Sequence, residues 1–90
     1  ARIGTRVWAT GRGTVVWAGW KGALGKAIII RHPNGYTTRY GHLSKILVRV
    51  GQKVQRKQII GRVGATGRVT GPHLHYEILK DGQHLNPETI

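Results

Sequence analysis

The residues best suited to chemistry are three histidines in two short segments. His73 and His75 lie two apart in Gly71-Pro72-His73-Leu74-His75, and His42 lies in Tyr40-Gly41-His42-Leu43-Ser44. On a β-strand, residues two apart point to the same face, so this spacing aims two imidazoles at one metal ion or one substrate. The pattern favours a functional site over the plainer alternative, two histidines on the surface of an edge strand.

The residues that follow His73 alternate in type. Ionisable and apolar side chains take turns in the order His73, Leu74, His75, Tyr76, Glu77 and Ile78. This period of two predicts a strand whose apolar face is turned to a core. The other face then carries two histidines and a glutamate in a row.

Composition restricts both the possible metal ligands and the possible partners. The chain has 90 residues, which fits one small domain, and its longest aliphatic run (27–30) is too short to span a bilayer. There is no cysteine, so any metal site must use His, Asp or Glu. The 15 Lys and Arg against 3 Asp and Glu give a net charge of +12, which predicts attraction to a polyanion such as nucleic acid, anionic lipid or an anionic cell-wall polymer. Because the basic residues are scattered singly, solvated outer faces of strands explain most of them equally well.

The elements that must position the histidines are predicted to be short strands. The 14 glycines are spread through the chain between β-branched runs, and no segment keeps a helical period. We therefore predict almost no helix, with strands near 6–9, 14–20, 26–32, 36–43, 47–50, 59–63 and 73–80. Pro33-Asn34-Gly35 and Asp81-Gly82 are predicted turns. The three tryptophans are expected in the core or in packing between strands rather than on a sugar-binding surface.

Two segments of the chain echo one another. Ile3-Gly4-Thr5-Arg6-Val7 and Val50-Gly51-Gln52-Lys53-Val54 share an apolar residue, a glycine, two polar residues and a valine, and each is followed by a β-branched strand. The echo indicates two related hairpins, although chance similarity of short hairpins is an alternative.

The histidine segments carry a family resemblance. Gly64 to Glu77 reads Gly-x-Thr-Gly-x-x-Thr-Gly-Pro-His-Leu-His-Tyr-Glu, which resembles the signature of the lysostaphin/LytM-type zinc metallopeptidases, enzymes that cut peptide bonds in bacterial peptidoglycan. Tyr40-Gly41-His42-Leu43-Ser44 is similar to a second segment typical of that family. The likeness runs from about Gly4 to Pro87. It implies an all-β fold of short antiparallel strands, in a flattened barrel or two-sheet sandwich with a groove over one sheet.

The resemblance also implies a role for each histidine. His75 would be a zinc ligand, His73 a catalytic histidine that handles the proton of the attacking water, and His42 a catalytic residue that stabilises charge in the transition state. This division of roles is consistent with amide hydrolysis. Zinc activates water and polarises the carbonyl group, and imidazole exchanges protons near neutral pH.

One part of the family pattern is missing from these 90 residues. The family takes two further zinc ligands from an upstream His-x-x-x-Asp segment, and none is present here. A single histidine does not make a zinc site. We therefore expect residues 1–90 to be one LytM-type peptidase domain truncated at its N-terminus, since His42, His73 and His75 are all kept, with a relative that has lost the metal as the alternative.

Three functions follow from these observations. The first is a zinc metalloendopeptidase acting on peptidoglycan in the bacterial cell envelope or outside the cell, where positive charge favours binding to anionic envelope polymers. The second is a non-catalytic LytM-like module that binds cell wall or a partner hydrolase. The third is a basic β-barrel that binds nucleic acid; it accounts for the charge but leaves the His-x-His strand unexplained, so nucleic acid is the least favoured partner.

Overall fold

The structure, a computed structural model, describes residues 3–65, 74–81, 83–84 and 88–89. His73, Gly82 and most of the Gly/Thr segment before His73 lie outside the described residues. The strands are β1 (Arg6–Trp8), β2 (Gly13–Trp20), β3 (Lys26–Arg31), β4 (Tyr36–Ile46), β5 (Lys53–Val54), β6 (Ile59–Val63), β7 (His75–Lys80), β8 (Gln83–His84) and β9 (Glu88–Thr89). Helical structure in this part of the chain is limited to single turns at Gly22–Leu24 and Pro33–Gly35, so no described helix could cross a membrane.

All nine strands belong to one antiparallel sheet. Its order is β1-β6-β4-β3-β2-β5, and β7 joins β4, β8 and β9 outside that path. The long strand β4 is therefore bonded to β3 along one edge and to both β7 and β6 along the other. This arrangement confirms the all-β prediction and gives a curled half-barrel.

One face of the curled sheet encloses the core. The largest fully buried side chains are Tyr40, Ile28, Ile30, Leu43, Ile60, Val15, Val54 and Val63. They come from β2 to β6, and Leu74 and Tyr76 pack against them from the β7 side. Burial of these branched side chains supplies the main stabilising free energy, about 1.5–3 kcal/mol for each.

Each of the two echoing segments contains a short strand that pairs with the strand following the other segment. β1 pairs with β6, which follows β5, while β5 pairs with β2, which follows β1. Gly4 and Gly51 both have a φ of 91°. Gly4 N donates to Val63 O at 2.7 Å, and Gly51 N donates to Val15 O at 2.8 Å. The echo in sequence therefore corresponds to a repeated local structure.

The strand predictions hold at six positions and fail at one. Strand β6 has the predicted bounds, and Pro33-Asn34-Gly35 forms the turn between β3 and β4, with Asn34 and Gly35 both at positive φ. The predicted strand at 47–50 is wrong: β4 ends at Ile46, and Gln52 N donates to Arg49 O at 3.1 Å, which closes a turn. The two-residue strands β5, β8 and β9 were not predicted, because such short runs show no period.

The tryptophans are not in the core, contrary to the prediction. Trp8, Trp17 and Trp20 are 55%, 38% and 59% exposed. The Lys21 ammonium lies 4.3 Å from the centre of the exposed Trp17 ring.

Candidate active site

His42 lies where the sheet divides. The first half of β4, up to Gly41, pairs with β7, and the second half, from Leu43, pairs with β6. Between Tyr40 and Leu43 the strand contains two residues, whereas only Ala27 separates their partners on β3, so β4 has one extra residue here. His42 also has a φ of 60°. Such a bulge changes the direction of a side chain, and it allows both Tyr40 and Leu43 to reach the core while His42 turns towards the other face.

The bulge brings His42 against His75. His75 is opposite Gly41 in the β4–β7 pairing, next to the extra residue. The two imidazole ring centres are 5.7 Å apart, and the planes meet nearly edge to face at 82°. His42 is buried, with 5% of its surface exposed, and 24% of the His75 side chain is exposed. The structure thus brings together two of the three histidines indicated by the sequence, whereas His73 lies outside the described part.

Glu77 holds one nitrogen of His75. The distance from His75 Nε2 to Glu77 Oε1 is 2.6 Å, and Glu77 is 8% exposed. Because a carboxylate only accepts hydrogen bonds, Nε2 is the donor in this contact, and in the neutral imidazole Nδ1 is then the nitrogen with the lone pair. The second carboxylate oxygen, Oε2, lies 3.6 Å from Nη1 of Arg39 on β4. His75, Glu77 and Arg39 therefore form one charged group across two strands.

The predicted alternation of faces along β7 is present, but the two faces are not divided into one buried face and one exposed face. Leu74 and Tyr76 do face the core, yet both remain only half-buried. The opposite face is not a solvent face, because Glu77 and Leu79 on it are buried. Arg39 and its side-chain neighbours cover this surface, so the carboxylate is taken from water only with a cation beside it.

The strand register extends this face across the sheet. Glu77 is opposite Arg39, Arg39 is opposite Ile29, and Ile29 is opposite Trp17. Directly opposite residues share a face, so the exposed Trp17 lies on the same side as His75. A groove of about 650 Å³, lined by Val7, Tyr40 and Leu74 among others, belongs instead to the core side of β4 and β7.

The described residues do not by themselves form a metal site. The free Nδ1 of His75, with Nε2 fixed by a carboxylate, is the arrangement expected of a histidine ligand. Zinc in proteins needs three or more ligands, and within residues 3–65, 74–81, 83–84 and 88–89 no three His, Cys, Asp or Glu side chains converge. These residues therefore fit a single zinc ligand and do not complete a site.

Sequence reasoning missed Arg39 and the role of Glu77. Arg39 was counted among scattered basic residues, and Glu77 was noted only as part of an ionisable face. The available signal was that Glu77 is one of only 3 acidic residues in the chain. A rare carboxylate two residues from a candidate ligand is a natural partner for it.

The described residues thus form an all-β half-barrel with a pair of histidines and a buried carboxylate on one face. Comparison with known families is specific: the model of peptidase family M23 matches residues 1–87. The chain belongs to peptidase family M23, a family of metallopeptidases.

Individual relatives agree with this assignment. The chain is 49% identical over 90 residues to the peptidoglycan DD-endopeptidase ShyC of Vibrio cholerae, covering 100% of this chain and 21% of the relative. A zinc-containing peptidase from Vibrio cholerae matches with a TM-score of 0.91 and 46% identity, over 94% of this chain and 26% of that one. The catalytic domain of lysostaphin from Staphylococcus simulans matches with a TM-score of 0.89 and 37% identity, over 96% and 69%. The chain spans about a fifth of the length of the curated relatives it matches.

Proposed function

We propose that this chain is the C-terminal part of the catalytic site of a zinc metalloendopeptidase that hydrolyses peptide bonds in bacterial peptidoglycan. The observation that carries the proposal is the His42–His75 pair, with ring centres 5.7 Å apart at the division of the sheet. Membership of a metallopeptidase family and the name of the ShyC relative support the same activity. The place of action is then the cell envelope or the space outside the cell.

In this proposal His75 is the zinc ligand, through Nδ1. Zinc, when bound, polarises the scissile carbonyl group and makes its water a better nucleophile near neutral pH. The remaining ligands come from residues other than the described ones. Glu77 fixes the tautomer and the direction of the His75 ring, and Arg39 beside its second oxygen holds the Glu77 carboxylate in place.

The other two histidines act on the substrate side. His42 has its ring on the face of the sheet that bears His75, where it can donate a hydrogen bond to the oxygen that becomes negative in the transition state. His73, two residues before His75, takes the role of proton acceptor and donor for the attacking water. In this proposal the two histidines divide proton transfer and charge stabilisation between them.

The test is hydrolysis of purified peptidoglycan by a purified protein that carries the complete peptidase domain, with products separated by mass. We expect cleavage of peptide bonds, loss of cleavage on treatment with a chelator, and recovery on addition of zinc. His75→Ala should bind zinc at least about tenfold more weakly and should not recover. Folded protein that binds zinc but cuts no peptide would contradict the enzyme and favour a module that only binds cell wall or a partner.

A further inference from the structure

A second concavity lies away from the histidines, where β2, β3 and β5 meet. Its volume is about 480 Å³, and Arg12, Thr14, Arg31 and Lys53 are among its lining residues. None of the described residues that line it is acidic. In the same part of the chain, no ion pair involves Arg12, Arg31 or Lys53. The concavity is therefore a concentrated positive site in a chain of net charge +12.

Strand pairing aligns three of these side chains. Thr14 is opposite Arg31 on one side and opposite Lys53 on the other. Because directly opposite residues share a face, a hydroxyl group stands between two cations in one row. With strands about 4.8 Å apart, the two cationic residues start only about 10 Å from each other. Like charges placed so close repel each other, and a bound anion between them offsets the repulsion.

The backbone beneath the row is held firmly. A Cβ at Gly13 would collide with the carbonyl oxygen of Arg31, so β2 and β3 approach closely there. His32 bridges the wall of the concavity: Nδ1 lies 2.8 Å from Arg12 O, and Nε2 lies 2.7 Å from Thr38 Oγ1. The backbone that carries Arg12 is thus fixed before any ligand arrives, which lowers the entropy lost on binding.

We propose that this concavity binds a phosphate-type oxyanion, namely a phosphodiester group of an anionic envelope polymer. Two guanidinium groups, an ammonium group and a hydroxyl line the concavity from three strands and the residue before β2, which suits a tetrahedral anion with several acceptor oxygens better than a planar carboxylate. The large apolar side chains that are exposed in the described part of the chain do not line the concavity, so it lacks the apolar contacts with which a membrane surface is bound. This proposal rests on the proposed function only in that it assumes that the protein acts in the cell envelope.

The test is calorimetric binding of a short glycerol-phosphate oligomer at fixed ionic strength. The variant Arg31→Gln/Lys53→Gln should bind at least tenfold more weakly than the unaltered protein. The matched control, Lys45→Gln/Arg49→Gln, removes the same two charges from exposed positions outside the concavity and should change affinity less than twofold. Thr14→Val, which changes no charge, should weaken binding about threefold.

Two results would overturn the proposal. Equal weakening in both double variants would mean that only net charge attracts the oligomer. Equal affinity for an oligoglutamate of the same charge, or tighter binding to anionic vesicles, would mean that the site does not select phosphodiesters of a polymer. Hydrolysis of a small uncharged peptide substrate should be the same in both double variants, so failure of this site and failure of the peptidase are distinguishable. Thermal unfolding verifies that each variant is folded. If Arg31→Gln/Lys53→Gln does not fold, the single variant Lys53→Gln, at an exposed position, takes its place.

Discussion

The Nε2 atom of His75 donates a hydrogen bond to Oε1 of Glu77 over 2.6 Å, within one strand and across one intervening residue. Residues two apart on a strand share a face, so this contact is the direct result of the His-x-Glu spacing. The contact determines which ring nitrogen of His75 can bind a metal. In the proposed site Glu77 is therefore a positioning residue, which acts through His75 rather than on the substrate.

Glu77→Gln is expected to lower zinc affinity by about 10- to 100-fold, because an amide holds the His75 ring and its tautomer less strongly than a carboxylate does. Competition with a coloured chelator measures this affinity. In the metal-free protein, nitrogen NMR should detect the proton on Nε2 of His75, and the variant should show a mixture of tautomers. Asp81→Asn is the matched control, since Asp81 is an exposed acidic residue in a turn. Unchanged zinc affinity in Glu77→Gln would exclude the positioning role.

His42→Ala and His73→Ala are expected to reduce peptidoglycan hydrolysis by at least about 100-fold while zinc remains bound, because both histidines act on the substrate or the water. His75→Ala should instead lose the metal. Metal content measured on each purified variant, beside turnover, separates the two classes. Substantial turnover by His73→Ala would show that His73 is not the proton acceptor.

Gly64→Ala is expected to destabilise the protein by about 1–3 kcal/mol and to lower activity as well. A Cβ at this position would lie 2.7 Å from Ser44 Cα and 2.8 Å from the carbonyl carbon of Leu43, and backbone atoms cannot move aside cheaply. The same shift would lengthen the 3.0 Å hydrogen bond from Gly64 N to His42 O, which holds the bulge. Urea unfolding and turnover are the measurements.

The control for that substitution is Gly11→Ala. Its Cβ would meet Nδ1 of His32 at 3.4 Å, a distance that a small movement of the ring relieves. A loss of stability as large as that of Gly64→Ala would show that the contact with Ser44 is not the cause.

Tyr40→Phe is expected to cost about 1–3 kcal/mol of stability. Tyr40 is 1% exposed. Its hydroxyl accepts hydrogen bonds from Thr38 Oγ1 at 2.9 Å and from Thr10 N at 3.2 Å. Removal of this oxygen leaves the buried Thr38 hydroxyl and the Thr10 N–H with fewer partners. Tyr36→Phe is the comparison, because Tyr36 is 40% exposed, and its loss should be below about 0.5 kcal/mol. Equal urea midpoints for the two variants would contradict this account.

The strands could be predicted where side chains follow a simple period, as in β6. The bulge at His42 could not be predicted from that period, although a sign of it is present. Tyr40 and Leu43 are both fully buried, yet they are three residues apart, which an uninterrupted strand does not allow. Two large apolar residues at odd spacing within one strand indicate an inserted residue between them.

The histidines of the candidate site could be predicted from the sequence, but the ion pair between Glu77 and Arg39 could not. The resemblance located His42 and His75 on their strands, because a short motif fixes residue types at fixed spacing. The partner of Glu77 depends on the register between β4 and β7, which places Arg39 opposite it. Register is set by the whole sheet and its turns, so the composition of either strand alone does not reveal it.

The reciprocal pairing of β1 with β6 and of β5 with β2 interlocks the two halves of the chain. Each half supplies the short strand that closes the edge of the other, so neither half is a complete folding unit. The paired residues are far apart in sequence, and such contacts form late and together. Folding of this domain is therefore expected to be all-or-none, and two fragments separated near residue 48 would each need the other in order to acquire structure.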